Sequence, residues 1–286
     1  MFSEAWALFR AEWLKVTGNR PVAVGLVWIF PAASLLVIVI SILVLISLPP
    51  EFRDGMNWSE AMLAAWVVPA SQLGQLLMLG LTATVFAGEY IWGTWKNIVP
   101  RNRRFALVLM KFLSVCVLML VAFTASAVIQ ALGSGLLNLI ANKPVAPPPV
   151  PNFESRYLLN MGLALLTTIV GAGFAGIAAI LTRSITGGLI IGFAFSVAEL
   201  FLIPVLSLFE RLLRIPNLTR LYQLMPGYNI NNASIWLQTG HSSPSMGFGS
   251  TFPPLTLETS LLILTLWIIG LIGLTVYLFH RQDITA

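Results

Sequence analysis

The sequence predicts an all-α integral membrane protein with six transmembrane helices, and three observations carry that prediction. Of 286 residues, only 16 are basic and 11 acidic. Hydrophobic types make up 57% and charged types 9%, against about 45–50% apolar and about 25% charged in a soluble domain. The charges are clustered, and they leave uncharged runs longer than 20 residues, the length at which a helix crosses a bilayer. A chain so poor in charge cannot cover a soluble surface, which excludes a cytosolic enzyme and a disordered chain. One cysteine, Cys116, excludes an internal disulfide framework, and the two histidines, His241 and His280, lie too far apart to suggest a zinc or haem site.

The first span is Val22–Leu48, 27 uncharged residues and about 40 Å as a helix. That exceeds the roughly 30 Å hydrocarbon core, so a tilt or a bend at Pro31 is expected. It is too long for a signal-peptide core and has no small-x-small cleavage site behind it. The remaining spans are Ala61–Ala87, about Phe105–Leu139, Tyr157–Leu181, Thr186–Phe209 and Leu257–Phe279. The longest connection, Glu210–Thr256, has 47 residues and is partly apolar, so residues 1–286 read as a single transmembrane domain.

Six spans put both termini on one side. That side collects Arg10, Lys15, Arg20, Lys96, Arg101, Arg103, Arg104, Lys111, Arg183 and Arg281. The other side holds Arg53, Lys143, Arg156, Arg211, Arg214 and Arg220. The positive-inside rule therefore places both termini in the cytoplasm of a multi-pass protein of the plasma (inner) membrane.

Ahead of the first span, Phe2, Trp6, Phe9, Trp13 and Val16 recur at helical spacing and form one apolar stripe. Residues 1–18 therefore read as an amphipathic helix lying in the inner interface, ended by Gly18-Asn19, with Pro21 suited to the first turn of the next helix. Between spans two and three lies Ala87–Arg104, with one acid, a Gly93-Thr94 turn, two tryptophans, Pro100 and four basic residues in 18 positions. Trp92, Trp95 and Val99 are spaced to share one face of a short helix that inserts into a cleft of a partner protein. The alternative is an interfacial anchor obeying the positive-inside rule, and composition does not separate the two.

Polar residues inside the spans have two readings as well. Ser71, Gln75 and Thr82 share a face of the second span, with Gln72 alongside, and Ser126 and Gln130 share a face of the third. They either hydrogen-bond to a neighbouring helix or line a pathway. In the fourth span Gly171, Gly173 and Gly176 make a small-residue face for close helix contact. Glu199 is the only charged type deep inside a span, where a carboxylate costs roughly 2.5–3.5 kcal/mol on insertion scales. Gly188, Gly192, Ser196 and Glu199 form one stripe, so Glu199 faces protein or a cavity. It is either a protonated acid bonded to a neighbouring helix or a site that contacts substrate or couples to a gate. In 210–256, the pattern predicts two short helices joined by a Pro226-Gly227 turn, dipping into the outer leaflet, then loop over Ser242–Pro254. Asn57, Asn217 and Asn232 begin Asn-x-Ser/Thr triplets on the expected outer side, triplets that also arise by chance.

Glu89, Gly93-Thr94, Pro100, Arg103 and Arg104, with Lys111 entering the next span, resemble the loop between spans two and three of type-2 ABC (ATP-binding cassette) transporter permeases. Glu12, Lys15 and Arg20-Pro21 are similar to that family's amphipathic start. Phe279, Arg281 and Asp283-Ile284 are similar to its ending, and 210–256 matches its outer re-entrant region in position. The interval from Thr94 to Pro100 is short and suits only some branches. The resemblance implies an exporter permease whose segment 89–104 couples to a separate ATPase, with Glu89, Trp92, Gly93, Thr94, Trp95, Pro100, Arg101, Arg103 and Arg104 as coupling residues. It also implies two ATPase copies and a second permease, identical or related, in the bilayer, with no nucleic-acid partner. Ser71, Gln75, Thr82, Ser126, Gln130 and Glu199 are the pathway candidates. No catalytic, metal or cofactor residue is expected in this chain, so ATP and Mg would be held by the ATPase. Gly88-x4-Gly93-Thr94 only mimics a phosphate loop, because threonine stands where the lysine belongs. Two other classes remain, a lipid-modifying membrane enzyme, which needs clustered His, Asp or Glu at the interface, and a channel or structural protein, which needs no docking element.

The charge count makes a direct prediction in a Cys116→Ser background. A cysteine placed at Asn102 reacts with a membrane-impermeant reagent only from the cytoplasmic side, and one at Asn152 only from outside. The reverse pattern contradicts both the orientation and the coupling assignment.

Overall fold

The computed structural model describes residues 2–95, 103–241 and 253–282. The protein is 85% helical, with no strand among the described residues. Among the described residues, five helices are long and apolar enough to cross a bilayer, and the bent pair Trp58–Ala70 and Gln72–Ile91 makes a sixth when counted as one span. The chain is thus an all-α, multi-pass membrane protein. Its residues pack as two compact units, one comprising residues up to Leu77 with Leu113–Leu165, the other Met78–Phe112 with the residues from Leu166 on.

In the first unit, α1 (Phe2–Gly18) precedes α2 (Ile29–Ser47). The expected stripe on α1 divides. Trp6 stacks on Phe9 at 5.6 Å and Phe9 meets Trp13 tilted at 6.1 Å, with Trp6 exposed, whereas Val16 and Glu12 are buried and Glu12 pairs with Lys15 at 2.8 Å. Between the helices a π-helical turn spans Ala23–Val27, closed by the Trp28 amide on the Ala23 carbonyl at 2.9 Å. Pro31 has no amide for the Val27 carbonyl. The irregularity expected at Pro31 therefore lies in the turn ahead of it, where the ladder widens.

The expected span 61–87 is not continuous. α3 (Trp58–Ala64), capped by the Asn57 carboxamide on the Ser59 amide, tightens into a 3-10 turn over Ala65–Ala70. The chain then breaks at Ser71, and α4 (Gln72–Ile91) leaves at 62°. Pro69 explains the change, since its ring clashes with the carbonyl four residues back and removes one helical bond. Ser71 consequently stands outside the helix that carries Gln75 and Thr82, and the shared face expected for the three does not exist.

α5 (Arg104–Ile140) has 37 residues and α6 (Phe153–Thr182) has 30. Within the first unit, Phe123 of α5 meets Phe30 of α2 and Trp66 at ring distances of 4.9 and 6.2 Å, and Trp66 meets Tyr157 of α6 at 5.6 Å. A Cβ on Gly133 would stand 2.3 Å from Ile38, so glycine lets α2 approach α5 there. Asn138 bonds both backbone groups of Met56, at 2.7 and 2.9 Å. The proline-rich loop is pinned by Trp58 on the Pro147 carbonyl, Asn57 on that of Pro148, and the Val150 amide on Ser59.

In the second unit, α7 (Ile185–Leu213) is followed by a 3-10 turn (Leu218–Leu224), α8 (Pro226–Thr239) and α9 (Leu257–Arg281). Pro226 opens α8 as its first residue, where the sequence suggested a turn. The loop expected over Ser242–Pro254 falls outside the described residues except for Pro253 and Pro254. The small face expected on α6 is used in part, at Gly173 and at nearby alanines, whereas Cβ atoms on Gly171 and Gly176 would meet their neighbours only at 3.6 and 3.5 Å. A Cβ on Gly173 would meet Leu271 of α9 at 2.7 Å, and those on Gly188 and Gly192 of α7 would meet Ala179 and Ala175 at 2.9 and 3.2 Å.

Candidate functional site

The second unit holds two polar clusters built from residues the sequence singled out. The first begins where α4 ends. Gly93 adopts φ +64°, the Gly93 amide reaches the Tyr90 carbonyl at 3.3 Å, and the Thr94 amide reaches that of Glu89 at 3.1 Å. These are the two bonds of a Schellman cap, with glycine at its left-handed position. The cap folds Thr94 back so that its hydroxyl donates to the Glu89 carboxylate.

Lys111 of α5 completes the site. Its ammonium donates to Glu89 Oε1 at 3.2 Å and to the Val85 carbonyl at 2.8 Å. Both side chains are almost wholly buried, at 1% and 2% residue exposure. Removing one member of such a pair leaves an uncompensated charge and costs about 3–5 kcal/mol. The ammonium also lies 5.2 Å from the Trp95 ring centroid, a cation–π geometry. Trp95 contacts Tyr90 at 5.6 Å and Phe279 of α9 at 4.5 Å. The Tyr90 hydroxyl donates to Gln282, whose amide donates to the Ile180 carbonyl of α6 at 2.7 Å. Arg104 Nη1 donates to the carbonyls of Phe279, His280 and Gln282 at 3.3, 2.7 and 3.0 Å, placing a cation on the negative end of α9. Four helices are therefore tied at one point.

The expected outward face of Trp92, Trp95 and Val99 is not formed by the tryptophans. The left-handed Gly93 turns the chain between them, leaving Trp92 exposed and Trp95 buried. Glu89 and Thr94 also point inward, Arg104 is half-buried, and Gly93 and Arg103 are exposed. Pro100, Arg101 and Val99 lie outside the described residues. Tyr90 and Gln282 were missed by the sequence reading. A tyrosine beside an acid at a helix end, and a glutamine just past another helix, carry no pattern that joins them.

The second cluster surrounds Glu199 of α7. Its Oε1 accepts from the amides of Gly227 and Tyr228 at 2.6 and 3.3 Å. These are early amides of α8, which its own capping residue, Met225, has no side-chain acceptor to satisfy. A Cβ on Gly227 would come within 2.6 Å of the carboxylate, so a larger residue there would make the acid shift from this position. Glu210 does the same for the 3-10 turn, accepting from the Asn217 and Thr219 amides at 3.1 and 3.2 Å and from the Thr219 hydroxyl at 2.8 Å. Beside Glu199, burial and then the carboxylate's charge push the Tyr222 phenol above its ordinary value. Asn232 is buried and its amide donates to the Leu255 carbonyl and Ser260 hydroxyl at 2.9 and 2.8 Å. In this fold it is a helix tie and not an accessible glycan acceptor.

The other pathway candidates divide. Thr82 and Ser126 are buried, and each hydroxyl bonds a carbonyl four residues back in its own helix, Met78 at 2.9 Å and Ala122 at 3.0 Å. These bonds lie within each residue's own helix and decide neither of the two roles open to them, a tie to a neighbouring helix or a pathway lining. Gln75 and Gln130 are half-buried, and Ser71 is exposed.

No protein-family model and no curated protein matches this sequence. The geometry around Glu199 has a testable consequence. Glu199→Gln keeps an acceptor oxygen for the two amides, so it folds with a small loss of stability. Glu199→Leu leaves both amides without an acceptor and lowers the thermal stability of the purified protein by about 2 kcal/mol or more. A Leu variant as stable as the wild type contradicts the capping role.

Proposed function

We propose that the chain is the permease subunit of a type-2 ABC exporter, forming a substrate pathway across the plasma membrane and coupling it to ATP hydrolysis by a separate ATPase. In this reading both termini are cytoplasmic and α1 lies in the inner interface. The turn after α4 opens the coupling segment, and Leu218–Leu224 with α8 forms a re-entrant cap on the outer side. Two ATPase copies hold ATP and Mg, and a second permease copy or a relative completes the assembly.

One observation carries the reading. A coupling element must be stiffly joined to the spans it moves while leaving a surface for its motor. The turn after Ile91 has both properties. Its inner side is fastened to α5 through Glu89 and Lys111 and to α9 through Trp95 and Phe279, while Trp92 projects outward at 53% exposure. A loop that merely connected two spans would need no buried ion pair. The tryptophans thus divide the labour, Trp95 joining the loop to the membrane helices and Trp92 facing the partner.

Affinity purification from native membranes tests this directly. The wild-type chain brings down an ABC ATPase. Trp92→Ala, which loses an exposed aromatic anchor worth about 2 kcal/mol, retains at most about a tenth of that ATPase and unfolds at the wild-type temperature. Trp95→Ala instead lowers the unfolding temperature. An ATPase that stays bound equally well to Trp92→Ala assigns that side chain to the membrane interface alone.

A further inference from the structure

Between α3 and α4 the chain breaks at Ser71 with a 62° bend. Its depth follows from contacts within the first unit. Trp58, at the start of α3, bonds the Pro147 carbonyl, and Met56 bonds Asn138 near the end of α5. Eight residues further on, Trp66 touches Phe123, which lies near the middle of α5 and well inside the uncharged run between Lys111 and Lys143. The 3-10 turn therefore descends into the hydrocarbon, and the break at Ser71 follows five residues later.

Such a break is costly in lipid. The 3-10 turn ends, Ser71 is extended at ψ 151°, and the first amides of α4 have no helical partner. The Ser71 hydroxyl takes the Gly74 amide at 3.1 Å and donates to the Val68 carbonyl at 2.7 Å, and the Gln75 side chain donates to the Ala70 carbonyl at 3.5 Å. The consecutive residues Ala70, Ser71, Gln72 and Leu73 are all exposed, as are Val67 and Val68. Lipid-exposed irregular backbone does not occur at membrane depth, and is tolerated there only when buried in protein or facing a water-filled cavity.

We propose that the break at Val68–Leu73 faces a water-filled cavity at mid-membrane and forms part of the surface that the transported solute touches. This rests on the transport reading. A lining of one hydroxyl, one primary amide and the apolar Val67, Val68 and Leu73, with no charged residue from Ala61 to Gly88, suits an uncharged or weakly charged amphiphile. A polyanion would find no counter-charge here. A second copy laid over the break would have to supply matching donors and acceptors, and the test separates that case.

In a Cys116→Ser background, Ser71→Cys, Val67→Cys and, as lipid-facing control, Leu36→Cys are treated in membrane vesicles with a charged, water-soluble methanethiosulfonate. Leu36 is 59% exposed on the apolar α2. The proposal expects Ser71→Cys and Val67→Cys to be modified at least about ten times faster than Leu36→Cys. Modification no faster than the control overturns it, as does oxidative cross-linking of two copies through Ser71→Cys. Probing the same membranes for the bound ATPase keeps the two readings apart. Fast modification without an ATPase upholds the cavity and removes the exporter reading, whereas a bound ATPase with unreactive cysteines does the reverse.

Discussion

The buried pair of Lys111 and Glu89 is the interaction on which the arrangement of the second unit depends. An ammonium and a carboxylate withdrawn from water are each costly, and attraction offsets that cost only when the remaining hydrogen-bonding capacity is used. Here the Val85 carbonyl takes a second ammonium proton and Thr94 donates to the carboxylate. Thr94 can do so only because Gly93 closes the Schellman cap. The same ammonium covers Trp95, and Trp95 packs on Phe279. A short stretch of polar sequence at the end of α4 thereby sets where α5 and α9 stand. Stability of this region and rigidity of the loop are two consequences of one pair.

Much of this was legible in the sequence, for identifiable reasons. Four of the six apolar segments became single helices with ends within about four residues of those read from the charges, because their hydrophobic runs are long and flanked by polar residues. The second segment failed at Pro69. Its run is uninterrupted in hydropathy, and hydropathy carries no record of the missing amide that turns α-helix into 3-10 helix. Trp92 and Trp95 were misplaced for a related reason. Helical periodicity was carried across Gly93, whose positive φ ends the helix.

Long-range partners were the least legible. The stripe Gly188, Gly192, Ser196 and Glu199 located the acid on a protein-facing side of α7, yet its acceptor role toward Gly227 and Tyr228 depends on a contact between residues 28 positions apart. In retrospect, a helix opening Met-Pro-Gly with no capping side chain signals that something else must satisfy its first amides. Glu199 and Glu210 share that task on neighbouring pieces, so a single helix, α7, holds both parts of the segment that precedes α9. For a transporter, that arrangement would let movement of one span reach a cap above the pathway. Small residues did the complementary work. Gly188 and Gly192 of α7 allow close approach to Ala179 and Ala175 of α6, and Gly173 of α6 to Leu271 of α9.

The measurement that bears most directly on this account is a double-mutant cycle on Glu89→Gln and Lys111→Met, read by detergent-induced unfolding of the purified protein. If the pair organises the site, each single variant loses about 3–5 kcal/mol, since either one strands a buried charge. The double variant then recovers much of that loss, giving a coupling energy at or above the upper part of the roughly 0.5–3 kcal/mol range seen for residues in contact. Additive effects, or single variants as stable as the wild type, would contradict it.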